Sequence, residues 1–84
     1  MTITGQAAAV KHGYYAAAEL DRWSFTGDRT GGTVTGRVRV TDAFRMTQSP
    51  LAVVVTIGRD QCRWPILAMQ CDGVAFSATV GAKE

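Results

Sequence analysis

Apolar residues recur at nearly every second position from residue 33 to residue 80, in runs separated by turn-forming residues. Side chains of a β-strand point alternately to opposite faces, so this period argues for a half-buried sheet and against a helix. Across residues 33–41, Val34, Val38 and Val40 share one side, and Thr35, Arg37, Arg39 and Thr41 share the other. The solvated side of this strand therefore carries arginine and threonine. Residues 51–58 form the next strand. Leu51, Val53, Val55 and Ile57 line one face, and Ala52, Val54 and Thr56 the other. It is β-branched and apolar on both sides, which predicts a central position. Ser49-Pro50 opens it and Gly58-Arg59-Asp60 closes it.

A hairpin is expected at the C-terminal end. Asp72-Gly73 between two apolar runs suits a two-residue type I′ turn, whose central residues both need positive φ. That placement pairs Cys71 with Val74, Met69 with Phe76, Leu67 with Ala78 and Pro65 with Val80, an apolar set. Gln70, Ala68, Ile66 and Trp64 then face away, with Ala75, Ser77 and Thr79. Pro65 cannot donate to a ladder and marks a strand start or an edge.

The first part of the chain admits two readings. Residues 16–22 have high helix propensity, and Ala16, Leu20 and Trp23 would share a helical face. The same region also reads as a hairpin around His12-Gly13, running into a short strand on which Trp23 and Phe25 face the same way. The first twenty residues are thus an extra hairpin or a short helix. Residues 27–32, with three glycines, form a loop by composition.

With 84 residues the chain is one small domain with a thin core, and association into a homodimer would supply further burial. Its 46% hydrophobic and 19% charged content is globular. No apolar run reaches the ~20 residues that span a bilayer. Met1-Thr2-Ile3-Thr4 lacks the basic start and long apolar core of a secretion signal, so the expected location is cytoplasmic, with no membrane partner.

Cys62 and Cys71 would lie ~30 Å apart along a continuous strand and face opposite sides, too far for a disulfide. Two free thiols fit a reducing compartment. His12 stands alone beside a glycine, and no Cys-x-x-Cys or Cys/His cluster offers a zinc site. No Walker loop, Gly-x-Ser-x-Gly elbow or carboxylate pair accompanies it. The reading is a non-catalytic protein without a cofactor or metal.

Charge is uneven. The net value is +2, yet between Arg22 and Arg63 seven arginines face three aspartates. Guanidinium groups suit bidentate contacts with phosphate or carboxylate and stacking on flat groups. Arg37, Arg39, Phe44, Arg45, Arg63 and Trp64 form the candidate binding set. Arg37, Arg39 and Trp64 point away from the apolar face, and Phe44-Arg45 lies in a connecting loop. Cationic grooves with aromatic platforms hold single strands, each stacked base contributing ~1–3 kcal/mol. The alternative roles are a solubilising arginine surface and aromatics that plug the core.

Thr35-Gly36-Arg37-Val38, then residues 44–50 and Val53-Val54-Val55-Thr56-Ile57, resemble the opening hairpin of the single-stranded-DNA-binding and primosomal replication proteins. Gln61-Cys62-Arg63-Trp64-Pro65-Ile66 followed by Asp72-Gly73 is similar to their third strand. The resemblance covers about half the chain, and some thirty residues precede its first strand. It implies an OB-like fold, mainly β: a small antiparallel β-barrel or strongly curved sheet. It also implies an oligomeric binder of single-stranded nucleic acid, with Arg37, Arg39 and Trp64 on the binding face. The second expectation is a small protein-interaction or inhibitor module, of the kind phages and plasmids encode, set against an acidic protein surface. Exposed strand edges would then allow strand addition.

Overall fold

Two three-stranded meanders close on each other to make a six-stranded barrel in the computed structural model, which describes residues 1–41 and 51–84. The strands are β1 (Thr2–His12), β2 (Tyr15–Asp28), β3 (Gly31–Thr41), β4 (Leu51–Ile57), β5 (Asp60–Asp72) and β6 (Ala75–Gly81). They follow the order β1-β2-β3-β6-β5-β4, and β4 pairs back to β1. Every neighbouring pair is antiparallel. The expected small antiparallel, OB-like barrel is what forms. Closure removes every strand edge among the described residues, so the strand addition expected for a partner has no edge to use.

Of the two N-terminal readings, the hairpin holds. Residues 16–22 belong to β2, although alanine is depleted in strands. The reason is tertiary: Leu20, Trp23 and Phe25 are buried inside the barrel, which offsets the weak strand propensity of Ala16-Ala17-Ala18. The described residues contain no helix, and so none long and apolar enough to cross a membrane.

Three hairpins share one turn device. His12–Tyr15, Ile57–Asp60 and Asp72–Ala75 are the closing pairs of two-residue loops. In each loop the first residue is a glycine with φ near +60° (Gly13, Gly58, Gly73), and the second is a residue without positive φ. That is type II′ geometry, in which only the first position needs a glycine. The expected Asp72-Gly73 turn is corrected accordingly. The loop is Gly73-Val74, because a type I′ turn would also have forced Asp72 into positive φ. Moving the turn by one residue moves each pairing by two, so Cys71 meets Phe76 and Met69 meets Ala78, and the faces are preserved.

The faces change further along β5. A register shift between Ile66 and Ala68 leaves Leu67 as an extra residue, 70% exposed. Beyond it the inward parity switches from odd to even positions, so Trp64 and Cys62 are buried. The expected outward Trp64 and inward Leu67 are therefore both corrected, by one bulge that alternation along the sequence does not reveal.

The interior is filled by Val10, Leu20, Phe25, Val34, Val53, Val55 and Val80. Val34 and Val38 turn inward from β3 as the alternation requires. Trp23, Phe25 and Trp64 form an aromatic cluster in the core, each ring contributing about 1.5–3 kcal/mol or more by burial. Cys62 is buried and Cys71 exposed, both as free thiols.

Candidate nucleic-acid interface

The structure divides the predicted binding set. Arg37 and Arg39 stand exposed on the outer face of β3, as expected. Arg63 is half-buried on the outer face of β5. Trp64 is inside the barrel at 4% exposure, so its ring offers no face to a base. Phe44 and Arg45 lie outside the described residues.

Two irregularities between β2 and β3 fall on arginines. Asp21 pairs with Arg37 and Trp23 with Gly36, which leaves Arg22 without a partner on β3. Leu20 pairs with Val38 and Glu19 with Val40, which leaves Arg39 without a partner on β2. Bulges of this kind re-aim side chains and occur often beside functional sites. Arg22 also adopts φ +62°, the only positive φ among the described non-glycine residues. That conformation costs an L-residue about 1–2 kcal/mol.

A shallow track winds over this outer wall. It begins beside Arg22, Thr35 and Gly36 and continues past Gln6 into a depression of about 400 Å³. The floor there is Ala7, Ala9 and Val54, and Arg39 stands on one bank. The cause is in the sequence: β1 carries Ala7 and Ala9 opposite Asp21 and Glu19 of β2, so the wall dips along β1. Lys11, Val54 and Gln61 are shared with a second depression of about 460 Å³, which ends at Arg63 and Tyr14. Tyr14, at the tip of the β1–β2 hairpin, is 99% exposed.

Four cations thus mark the track: Arg22, Arg39, Lys11 and Arg63. Glu19 and Asp21 share its bank, so the field is positive but moderate. Arg63 Nε lies 3.1 Å from Glu84 Oε2, the Arg63 side chain half-buried and the Glu84 side chain exposed. Such a pair is worth about 1 kcal/mol or less and yields readily to a phosphate. Arg22, Arg39 and Lys11 make no ion pair among the described residues. Arg37 stands opposite Asp21 and is not part of the track.

Lys11 and Tyr14 were not singled out by the sequence pattern, and Arg22 entered only as part of the charge excess. The available signal was Tyr14-Tyr15 directly after a glycine turn, which places an aromatic at a hairpin tip where packing cannot cover it. No three His, Cys, Asp or Glu side chains converge on a metal-sized site among the described residues. Set against family models, curated proteins and solved structures, the chain matches none of them.

Proposed function

We propose that this protein is a non-catalytic binder of single-stranded nucleic acid, held along the outer track over β1. Phosphates meet Arg22, Arg39, Lys11 and Arg63, and an unpaired base stacks on Tyr14. The observation that carries this reading is Tyr14 itself, a fully exposed ring at the end of a depression that also holds Lys11 and Arg63. A tyrosine left bare at a turn gains nothing from folding, while stacking a base there contributes ~1–3 kcal/mol. With only four cations, phosphate contacts alone would bind weakly at physiological salt, so the ring matters.

Fluorescence anisotropy of a labelled oligothymidylate across a salt series tests it. Log affinity should fall against log salt with a slope of about −3, at roughly −0.7 per phosphate for four contacts. Tyr14→Ala should weaken binding by about 5- to 150-fold with the salt slope retained. Arg39→Ala should flatten the slope by about 0.7, and Arg37→Ala should leave it unchanged. Anisotropy that stays flat at low salt ends the proposal.

Leu67 favours a second reading. The β5 bulge carries this leucine outward, 70% exposed, where an apolar contact with another protein would cover it. An interaction or inhibitor module would leave the oligonucleotide unbound and lose its partner on Leu67→Asp.

A further inference from the structure

Four neighbouring strands carry hydroxyls on their outward positions, and strand register brings them into two rows. Thr2 of β1 pairs with Thr26 of β2, Thr26 with Thr33 of β3, and Thr33 with Thr79 of β6. Two residues along each strand, Thr4 pairs with Ser24, Ser24 with Thr35, and Thr35 with Ser77. The residue between the two on each strand (Ile3, Phe25, Val34 or Ala78) packs into the core. Threonine suits any exposed strand, so solvation alone would permit such rows. Their lack of charge needs more, because β2 and β3 carry Glu19, Asp21, Arg37 and Arg39 on outward positions further along. None of these eight hydroxyls makes a hydrogen bond to the protein among the described residues. Each can donate one to a ligand, and serine and threonine hydroxyls commonly do so to nucleic-acid phosphates.

The second row lies where the outer track begins. Thr4, Ser24 and Thr35 line the same depression as Arg22, and Gln6 joins that depression to the one over β1. Between the row and Arg22 run Gly5, Trp23 and Gly36, which are paired across the three strands. The glycines have no side chain and Trp23 is buried, so nothing stands up from the wall there. From Thr4 to Ser77 the row crosses three strand spacings, about 14 Å, which is room for roughly two phosphates of an extended strand.

We infer that the single strand continues past Arg22 along Thr4, Ser24, Thr35 and Ser77, whose hydroxyls donate to its phosphates. This inference rests on the outer track binding nucleic acid, and it adds a segment of different chemistry. Phosphates neutralised by Lys or Arg release counterions and so weaken with salt. The row holds no cation, so its contacts raise affinity and leave the salt slope as the four track cations set it.

Labelled oligothymidylate tests the row. Thr4→Val and Thr35→Val each remove a hydroxyl at an exposed position and keep a β-branched side chain, so the strands are retained. The double variant should bind about tenfold more weakly, with the salt slope unchanged. The matching double variant in the first row, Thr2→Val with Thr33→Val, should bind as the parent does. An oligothymidylate of about twelve nucleotides should bind the parent more tightly than one of about six, and the Thr4 and Thr35 variant should lose most of that gain. Amide shift changes on binding should reach Thr35 and Ser77. Parent-like affinity in the Thr4 and Thr35 variant overturns the row and leaves the track over β1 standing. An equal loss from the Thr2 and Thr33 variant overturns it too, since no one row would then be the path. A parent that binds no oligonucleotide at low salt ends the track, and the row with it.

Discussion

Trp64 lies nearly flat on Phe25, with ring centroids 4.6 Å apart and planes 9° from parallel. Trp23 leans against the Trp64 ring at 6.2 Å and 58°. Aromatic contacts of this kind add about 0.5–1.5 kcal/mol beyond simple burial. Trp64 is therefore a stability residue. Trp64→Ala should cost about 3–5 kcal/mol, read from urea unfolding, with the smaller Trp64→Phe losing less. A tryptophan serving only as an exposed base platform would instead show lost oligonucleotide affinity at unchanged stability.

Gly5 is where the same cluster meets β1. A Cβ placed there would lie 2.6 Å from the Trp23 ring, closer than real Cβ contacts come. Trp23 is 3% exposed and packed against Trp64, so it cannot swing aside. Gly5→Ala should destabilise the barrel by about 1–3 kcal/mol, the usual cost of overpacking. The double variant with Trp23→Phe should recover part of that loss, because the smaller ring leaves room; thermal melts of the two variants check this.

What alternation could reveal, it revealed. Val34 and Val38 face inward with Arg37 and Arg39 outward, β4 is buried on both faces from Leu51 to Val55, and Trp23 and Phe25 share the interior. The period fails where a residue is inserted. One extra residue at Leu67 turns Trp64 inward, and another at Arg22 reverses the parity of β2 between Leu20 and Trp23. No composition signal marks either bulge, since both residues are ordinary strand occupants with normal side chains. The candidate site was half legible for the same reason. Arginine on β3 follows from the pattern, while the track depends on the alanines of β1 lying beside Glu19 and Asp21 of β2, a relation set by strand pairing.

Arg22 bears a backbone cost that a glycine would escape, its φ being +62°. Arg22→Gly should leave stability within about 1 kcal/mol of the parent or above it, the relief of left-handed strain being offset by glycine's larger chain entropy. Arg22→Val should lose about 1–3 kcal/mol, because a β-branched residue fits that region poorly. Both variants remove one track cation, so both should flatten the salt slope of oligonucleotide binding by about 0.7. Equal melting temperatures for the glycine and valine variants would show that the bulge does not impose the left-handed geometry.

Asp28 gives the acid-side prediction. Its carboxyl sits below the usual carboxylate range, chiefly through the Thr30 hydroxyl bond and then the Thr30 N–H bond. Both bonds favour the ionised form, so folding holds the group at a lower pKa than the unfolded chain does. A depressed folded value means that the contribution is complete above the unfolded pKa of about 3.9 and is lost as pH falls through the folded value. The carboxyl is fully exposed, so the effect on the melt is small, and site-resolved detection is needed. Carbon-13 titration should place the Asp28 midpoint below the ordinary aspartate value, and Thr30→Ala should return it toward that value. Stability of Thr30→Ala should then differ from the parent at neutral pH, with the difference shrinking below the Asp28 midpoint. An Asp28 midpoint unmoved by Thr30→Ala would assign the shift to a different neighbour.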